Sequence, residues 1–209
     1  MANTLHAPPD NLDAWQLPLI EVDRARGSHW YRLHRITSAY SPVSYNFGAI
    51  DDRFNAPAGE YGILYLGGDP YCSFIETFGS AAVGGGYRMV SDRRLSESCL
   101  CRIDLAPGSR PLRLVNIATG AGLSRLGLDG RISTSKERAI TREWALALWR
   151  HPQRPDGLLY TACNDPARTS VALFDRCGDV LVAGCDRENL LRDRDLLAKL
   201  LDHYDYGLV

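Results

Sequence analysis

The chain has almost no net charge. Its 24 Lys and Arg against 25 Asp and Glu leave −1 over 209 residues. That removes the electrostatic case for direct nucleic-acid binding, which needs a cationic surplus against phosphate, although arginine is abundant enough for a local basic patch. No apolar run approaches the roughly 18 residues of a membrane span, so no membrane partner is expected. The start, MANTLHAPPDNLD, lacks the charged n-region and apolar core of a signal peptide; the expected location is the cytoplasm. The six cysteines, at 72, 99, 101, 163, 177 and 185, include no CxxC pair, and no His stands at ligand spacing. No metal site is expected. No GxGxxG follows a strand to open a helix, which speaks against a Rossmann dinucleotide site. Internal repeats and low-complexity segments are also missing.

What is present reads as a globular chain. A hydrophobic share of 45% and a charged share of 23% are ordinary for such proteins, and the length suffices to bury a core without disulfide staples. Residues 1–28 are expected to be an N-terminal arm, loose over 1–14, with Pro8 and Pro9. Residues 29–209 then form one domain. Strands are expected over 29–36, 62–66, 99–105, 112–117, 157–161, 170–175 and 180–183. Cys99, Cys101, Ile103 and Leu105 share one face of the third of these, where small apolar packing suits the cysteines. Cys177-Gly178-Asp179 is expected to turn the last two into a hairpin. Residues 37–60, rich in Ser, Pro, Asn, Gly and Asp, form a long loop, a feature that is usually functional or disordered.

Asp69 with Pro70 reads as an N-cap and first helical residue. Tyr71, Phe74, Ile75 and Phe78 then fall at i, i+3, i+4, i+7 and give one apolar face, with Gly79 as a stop. A short helix is expected over 119–127. Thr134 and Glu137 match a capping box, a helix runs from Thr141 to Pro152, and a Leu-rich helix begins at Arg187. Gly84–Gly86 reads as a mobile connection. Strands and helices are mixed without regular βαβ alternation, which argues α+β.

Four residues stand out chemically. Arg32, on the first strand, is either a surface charge or a guanidinium fork for two phosphate oxygens. Arg53 follows Asp51 and Asp52, and is either their loop partner or a second phosphate clamp. Tyr65, on an apolar strand, is either core or a stacking plate for a flat heterocycle. Glu76 lies away from the apolar face of its helix, so it faces either solvent or a ligand. Ser133-Thr134-Ser135 is similar to a Ser-Thr-Ser element of some ADP-ribosyltransferases, but it follows the glutamate, and helix capping is the better account.

Several short motifs, in order, resemble the RES domain family over roughly residues 30–185. They are Tyr31-Arg32; Arg53-Phe54-Asn55 with Pro57; GILYLGGDPYCSFIETFG, which holds Tyr65 and Glu76; Thr141-Arg142-Glu143-Trp144-Ala145; and DGLLYTACNDP followed by SVALFDR. The family's serine position falls on Ala162, flanked by Thr161 and Cys163.

The resemblance implies a fold similar to ADP-ribosyltransferases, a split, twisted β core with helices around a cleft for NAD⁺. It implies a toxin, neutralised by an Xre-like antitoxin, that breaks the nicotinamide–ribose bond of NAD⁺ by hydrolysis or phosphorolysis. NAD⁺ is then the substrate, inorganic phosphate is the co-substrate of the phosphorolytic route, and no cofactor is bound. Protein ADP-ribosylation and a catalytically degenerate binding module are the alternatives, and a homodimer is left open. On this reading Glu76, Arg32 and Tyr65 are catalytic, while Arg53, Thr141 and Thr161 bind substrate.

Overall fold

The computed structural model describes residues 5–25, 28–48, 52–79, 88–185 and 189–209. Among them the strands are β1 (Leu19–Val22), β2 (His29–Arg35), β3 (Ile63–Gly67), β4 (Arg88–Val90), β5 (Ser98–Leu105), β6 (Leu112–Asn116), β7 (Gly157–Thr161), β8 (Thr169–Phe174), β9 (Leu181–Gly184) and β10 (Tyr206–Leu208). The helices are α1 (Pro70–Phe78), α2 (Asp92–Ser96), α3 (Gly120–Arg125), α4 (Arg131–Thr134), α5 (Arg138–Arg150) and α6 (Arg194–Tyr204). No helix of the described residues is long and apolar enough to cross a membrane.

Eight strands form one mixed sheet in the order β1-β6-β7-β8-β3-β2-β5-β9, and β10 pairs with β4 in a small second sheet. In the large sheet β6 and β7 run parallel; its other neighbours are antiparallel. The two halves meet at β2 and β3 through one register pair, Tyr31 with Gly67. Elsewhere β2 pairs along its whole length with β5, and β3 along its whole length with β8. The sheet is therefore split at β2/β3, and the α+β class expected from the sequence holds.

Three apolar clusters fill the molecule. One joins the two halves of the curled sheet, with Leu64, Leu66, Leu114, Val171 and Leu173 meeting Trp30, Cys99, Ile103 and Leu105. A second lies on the other face of the central strands, where Trp144, Ala145 and Leu148 of α5 cover Tyr160, Ala172 and Phe174. The third gathers Phe74, Ile75 and Phe78 of α1 with Leu95, Leu197, Leu200 and Tyr206. The i, i+3, i+4 spacing in α1 thus buries the face it predicted.

Four expectations change. Residues 5–25 are not loose: Leu5, Leu12 and Leu17 are core residues, Trp144 Nε1 donates to His6 O at 2.8 Å, and β1 pairs with β6. The polar and Pro-rich start hid three leucines too widely spaced to show a period. β8 and β9 form no hairpin, because β8 lies between β7 and β3 while β9 pairs with β5 at the far edge. A 3-10 turn at Asp175–Cys177 leads the chain away from β8. Thr134 caps nothing downstream: it ends α4, and α5 begins at Arg138 behind Glu137 with no side-chain cap. Ser135 Oγ accepts from Glu137 N at 3.0 Å instead. A disulfide, Cys101–Cys185, joins β5 to the end of β9. The Gly84–Gly86 connection and the expected helix start at Arg187 lie outside the described residues.

Candidate active site

At the split between β2 and β3 the sheet opens into a cleft of about 700 Å³. Arg32, Arg53, Tyr65 and Glu76 all line it, although they come from two strands, a loop and a helix. Arg88, Lys136 and Arg138 add positive charge, against Asp52 and Glu76 as its carboxylates. The lining is cationic in a chain that is neutral overall, and suits an anionic ligand.

Glu76 is carried by α1, whose position depends on two local features. The Asp69 side chain accepts from Cys72 N at 2.7 Å and fixes the first turn, with Pro70 as first residue. Gly67 lets that turn approach the sheet, since a Cβ there would sit 2.7 Å from both Ser73 N and Ser73 Oγ. The face of α1 that carries Glu76 then borders the cleft. Glu76 Oε1 accepts from Asn164 N at 3.0 Å and Asn164 Nδ2 at 3.3 Å. Its second oxygen has no partner among the described residues and remains open to a ligand.

Half-buried Arg32 and buried Arg53 are cations held by neutral groups. Arg32 Nη1 donates to Pro42 O at 2.6 Å and Ser44 O at 3.3 Å. Burial lowers its pKa from the usual arginine value. Arg53 is only 7% exposed. Its Nη1 donates to Ser135 O at 2.6 Å and its Nη2 to Cys163 Sγ at 3.3 Å. Burial, and then the nearby Arg138, pull its pKa down, with Glu76 acting weakly the other way. Neither arginine pairs with a carboxylate among the described residues. Both are therefore stabilised by an arriving anion.

Tyr65 lines the cleft with its ring while its hydroxyl is engaged. That hydroxyl accepts from Phe54 N at 2.8 Å and donates to Asn55 Oδ1 at 2.9 Å. Burial, and then the neighbouring Tyr160, hold it well above the usual tyrosine pKa, so it is a neutral anchor for the Arg53 loop. Helix α5 grips the same loop from its other side. Thr141 Oγ1 donates to Arg53 O at 2.6 Å. The Arg142 guanidinium donates to Asn55 O, Ala56 O and Pro57 O. Tyr61 hydroxyl donates to Phe54 O at 2.8 Å. The motifs around Arg53, Tyr65 and Thr141, separate in sequence, are thus parts of one clamp.

Two expected substrate ligands lie off the lining. Thr141 is fully buried, its hydroxyl committed to Arg53 O and, at 3.1 Å, to Arg138 O. It supports the loop rather than facing the cleft. Thr161 pairs with Thr169 in the β7/β8 ladder and does not border the cleft. Ala162 is also fully buried. The sequence reading missed Asn164, Tyr160, Ser170, Arg138 and Lys136, all of which line the cleft. Tyr160, Asn164 and Ser170 lie within the quoted DGLLYTACNDP and SVALFDR segments, though none was singled out there; Lys136 and Arg138 carry no local signal. The Ser133-Thr134-Ser135 segment does border the site, through Thr134 and the Ser135 carbonyl that receives Arg53.

A mixed α and β domain with a cationic cleft at the split of a curled sheet is the class that fold and site define. The chain belongs to the RES domain family, whose model matches residues 22–193. It is 30% identical over 102 residues to the "probable toxin y4kH" of Sinorhizobium fredii (strain NBRC 101917 / NGR234), covering 48% of this chain and 77% of that protein. Its fold is similar to that of a chain in the crystal structure of the M. tuberculosis MbcT–MbcA toxin–antitoxin complex. That likeness has a TM-score of 0.61 at 16% identity, over 90% of this chain and 94% of that one.

Proposed function

We propose that this protein is the toxin of a toxin–antitoxin pair and that it cleaves the nicotinamide–ribose bond of NAD⁺ in the cytoplasm. The observation that carries this reading is the convergence of Arg32, Arg53, Tyr65 and Glu76 on one cleft at the split of the sheet. Two arginines, one half-buried and one buried, without carboxylate partners among the described residues suit the two charges of a pyrophosphate. Family membership and the toxin relatives support the role. An Xre-like antitoxin is the proposed partner, acting by covering the cleft.

Bond cleavage builds positive charge on the ribose, as in glycoside hydrolysis. Glu76 offers its free carboxylate oxygen to that charge, directly or through the ribose hydroxyls. Its other oxygen is fixed by Asn164, so little reorganisation is needed. The Tyr65 ring packs against the nicotinamide ribose, with its hydroxyl bonds keeping the ring in place. Thr141 acts one step back, by holding the carbonyl of Arg53. The nucleophile is water in hydrolysis or phosphate in phosphorolysis.

The test incubates the protein with NAD⁺, with and without phosphate, and identifies products by mass spectrometry. Nicotinamide with ADP-ribose, or with its 1″-phosphate, is expected from the wild type. Glu76→Ala is expected to lose roughly a hundredfold or more in turnover while still binding NAD⁺. Arg32→Ala is expected to lose both. Wild-type turnover in Glu76→Ala removes the assignment. The buried Ala162 favours one second reading, a module that binds NAD⁺ without turning it over. Tight NAD⁺ binding with intact NAD⁺ would select it.

A further inference from the structure

A second cavity, of about 830 Å³, adjoins the cleft between β2 and the 37–48 loop. Arg32 and Leu33 line both spaces. The reading above fills only the first, with nicotinamide, its ribose and the pyrophosphate. β2 carries the lining from Tyr31 in the first to Arg35 in the second, about 13 Å at roughly 3.3 Å per residue. That span suits a dinucleotide lying along the strand.

The loop that walls this cavity is pinned on both sides of the split. From β2, Arg32 Nη1 donates to the loop's Pro42 and Ser44 carbonyls. Beside β3, Asn46 N donates to Ile63 O at 2.8 Å and Ile63 N to Asn46 O at 3.0 Å. Gly62 lets the Phe47 ring come close, since a Cβ there would sit 2.6 Å from Phe47 Cζ. Held in this way, the loop still leaves two rings in water. Tyr40 is 76% exposed and Phe47 58%, and both line the cavity. They are the aromatic members of the large apolar side chains exposed among the described residues. Arg32 and Arg35 line the same space, with no carboxylate among its described residues. Rings and cations without carboxylates suit a base joined to a phosphate, because a base has a flat face to stack on such rings.

We propose that this second cavity binds the adenylate half of the substrate, with the base stacked on Tyr40 and Phe47 and Arg32 at the pyrophosphate between the two spaces. The inference rests on the NAD⁺ reading above. Bound in this way, the dinucleotide crosses the split of the sheet, its reacting end at Glu76 and its adenine end under the 37–48 loop. The preference is for a whole dinucleotide over nicotinamide mononucleotide, which ends at the first phosphate.

The test compares nicotinamide release from NAD⁺ and from nicotinamide mononucleotide, in the wild type and in the double variant Tyr40→Ala with Phe47→Ala, with calorimetric binding of AMP and the thermal midpoint of each protein. The wild type is expected to favour NAD⁺ by roughly tenfold or more in kcat/KM, the contribution of a stacked base. The double variant is expected to bring that ratio close to one through a higher KM for NAD⁺, and to bind AMP more weakly, at an unchanged midpoint because both rings are exposed. A wild type that cleaves both substrates equally well overturns the proposal and leaves the proposed function standing. So does a double variant that keeps the wild-type ratio, since the loop would then act on both substrates alike. If the wild type leaves both substrates intact, the cleavage reading falls. AMP binding that depends on Tyr40 and Phe47 then upholds the subsite, and absence of AMP binding overturns it as well.

Discussion

Arg53 shows how much of the site is decided by groups that never face it. Its guanidinium is buried without a carboxylate partner among the described residues, while its carbonyl is held by Thr141 from inside the protein. Thr141→Val keeps the shape of that side chain and removes its proton donor, leaving a buried carbonyl unsatisfied. The expected cost is about 1–3 kcal/mol in urea unfolding. A severalfold rise in KM for NAD⁺ should accompany it, because the clamp moves with the loop. Unaltered stability in Thr141→Val would show that the bond to Arg53 carries little energy. Arg53→Ala should weaken NAD⁺ binding more than Thr141→Val does, since it removes the charge itself and not only its support.

Helix α1 is the element on which the site depends, because it aims Glu76. Asp69 caps it through Cys72 N and pairs with Arg168, which also donates to Asp165 Oδ2 at 2.8 Å and lies over the Tyr71 ring. The cap, the β7–β8 loop and α6, through Tyr204 hydroxyl to Asp165 Oδ2 at 2.8 Å, are thereby tied together. Asp69→Ala should cost about 1–2 kcal/mol in stability from the lost cap, with little added by the part-exposed ion pair. It should also lower turnover, read in the same nicotinamide assay, by loosening the turn before Glu76. The N-terminal segment offers a pH test at the same scale. His6 ring nitrogens face two carbonyls, Ala7 O at 2.9 Å and Gly127 O at 2.7 Å, which favour the doubly protonated ring and raise its pKa. The docking this provides is fully present below the ordinary histidine value of about 6.5 and is lost as pH rises through the raised one. Amide exchange in residues 5–17 should therefore quicken with pH beyond its chemical rate, and His6→Ala should abolish that extra dependence.

In the whole molecule, the same curling that closes the core opens the cleft. β2 and β3 share one register pair, while on its other edge each pairs along its whole length, β2 with β5 and β3 with β8. The edge strand β9 is secured by Cys101–Cys185, whose sequence separation is 84 and whose Cα atoms lie 4.5 Å apart. Closing so long a loop should contribute about 2–4 kcal/mol to the oxidised protein. Urea midpoints with and without reductant, alongside a thiol count, measure it; equal midpoints would show that β9 holds without the bond. On the proposed cytoplasmic location the pair would stand as thiols, and the cleft is then expected to form without the disulfide. Cys185→Ser should accordingly leave NAD⁺ turnover unchanged under reducing conditions.

Local physics was legible in the residues themselves. Alternation gave β5, the Asp69-Pro70 signal with i, i+3, i+4 spacing gave α1, and short apolar runs bounded by turns gave β3, β7 and β8. All of these depend on contacts within a few residues, or on burial of one face. The motif order around Arg32, Arg53, Tyr65 and Glu76 also pointed to the family. Tertiary structure alone decided what lay at long range. It sent β9 to β5 rather than back along β8, docked Leu5, Leu12 and Leu17 against α5, and set Thr141 behind Arg53 instead of in the cleft. It brought Lys136 and Arg138 to a site that their neighbours in sequence do not announce. The physical reason is that strand pairing and cleft formation are chosen by which surfaces the whole chain can bury at once, a sum that no short window of sequence contains.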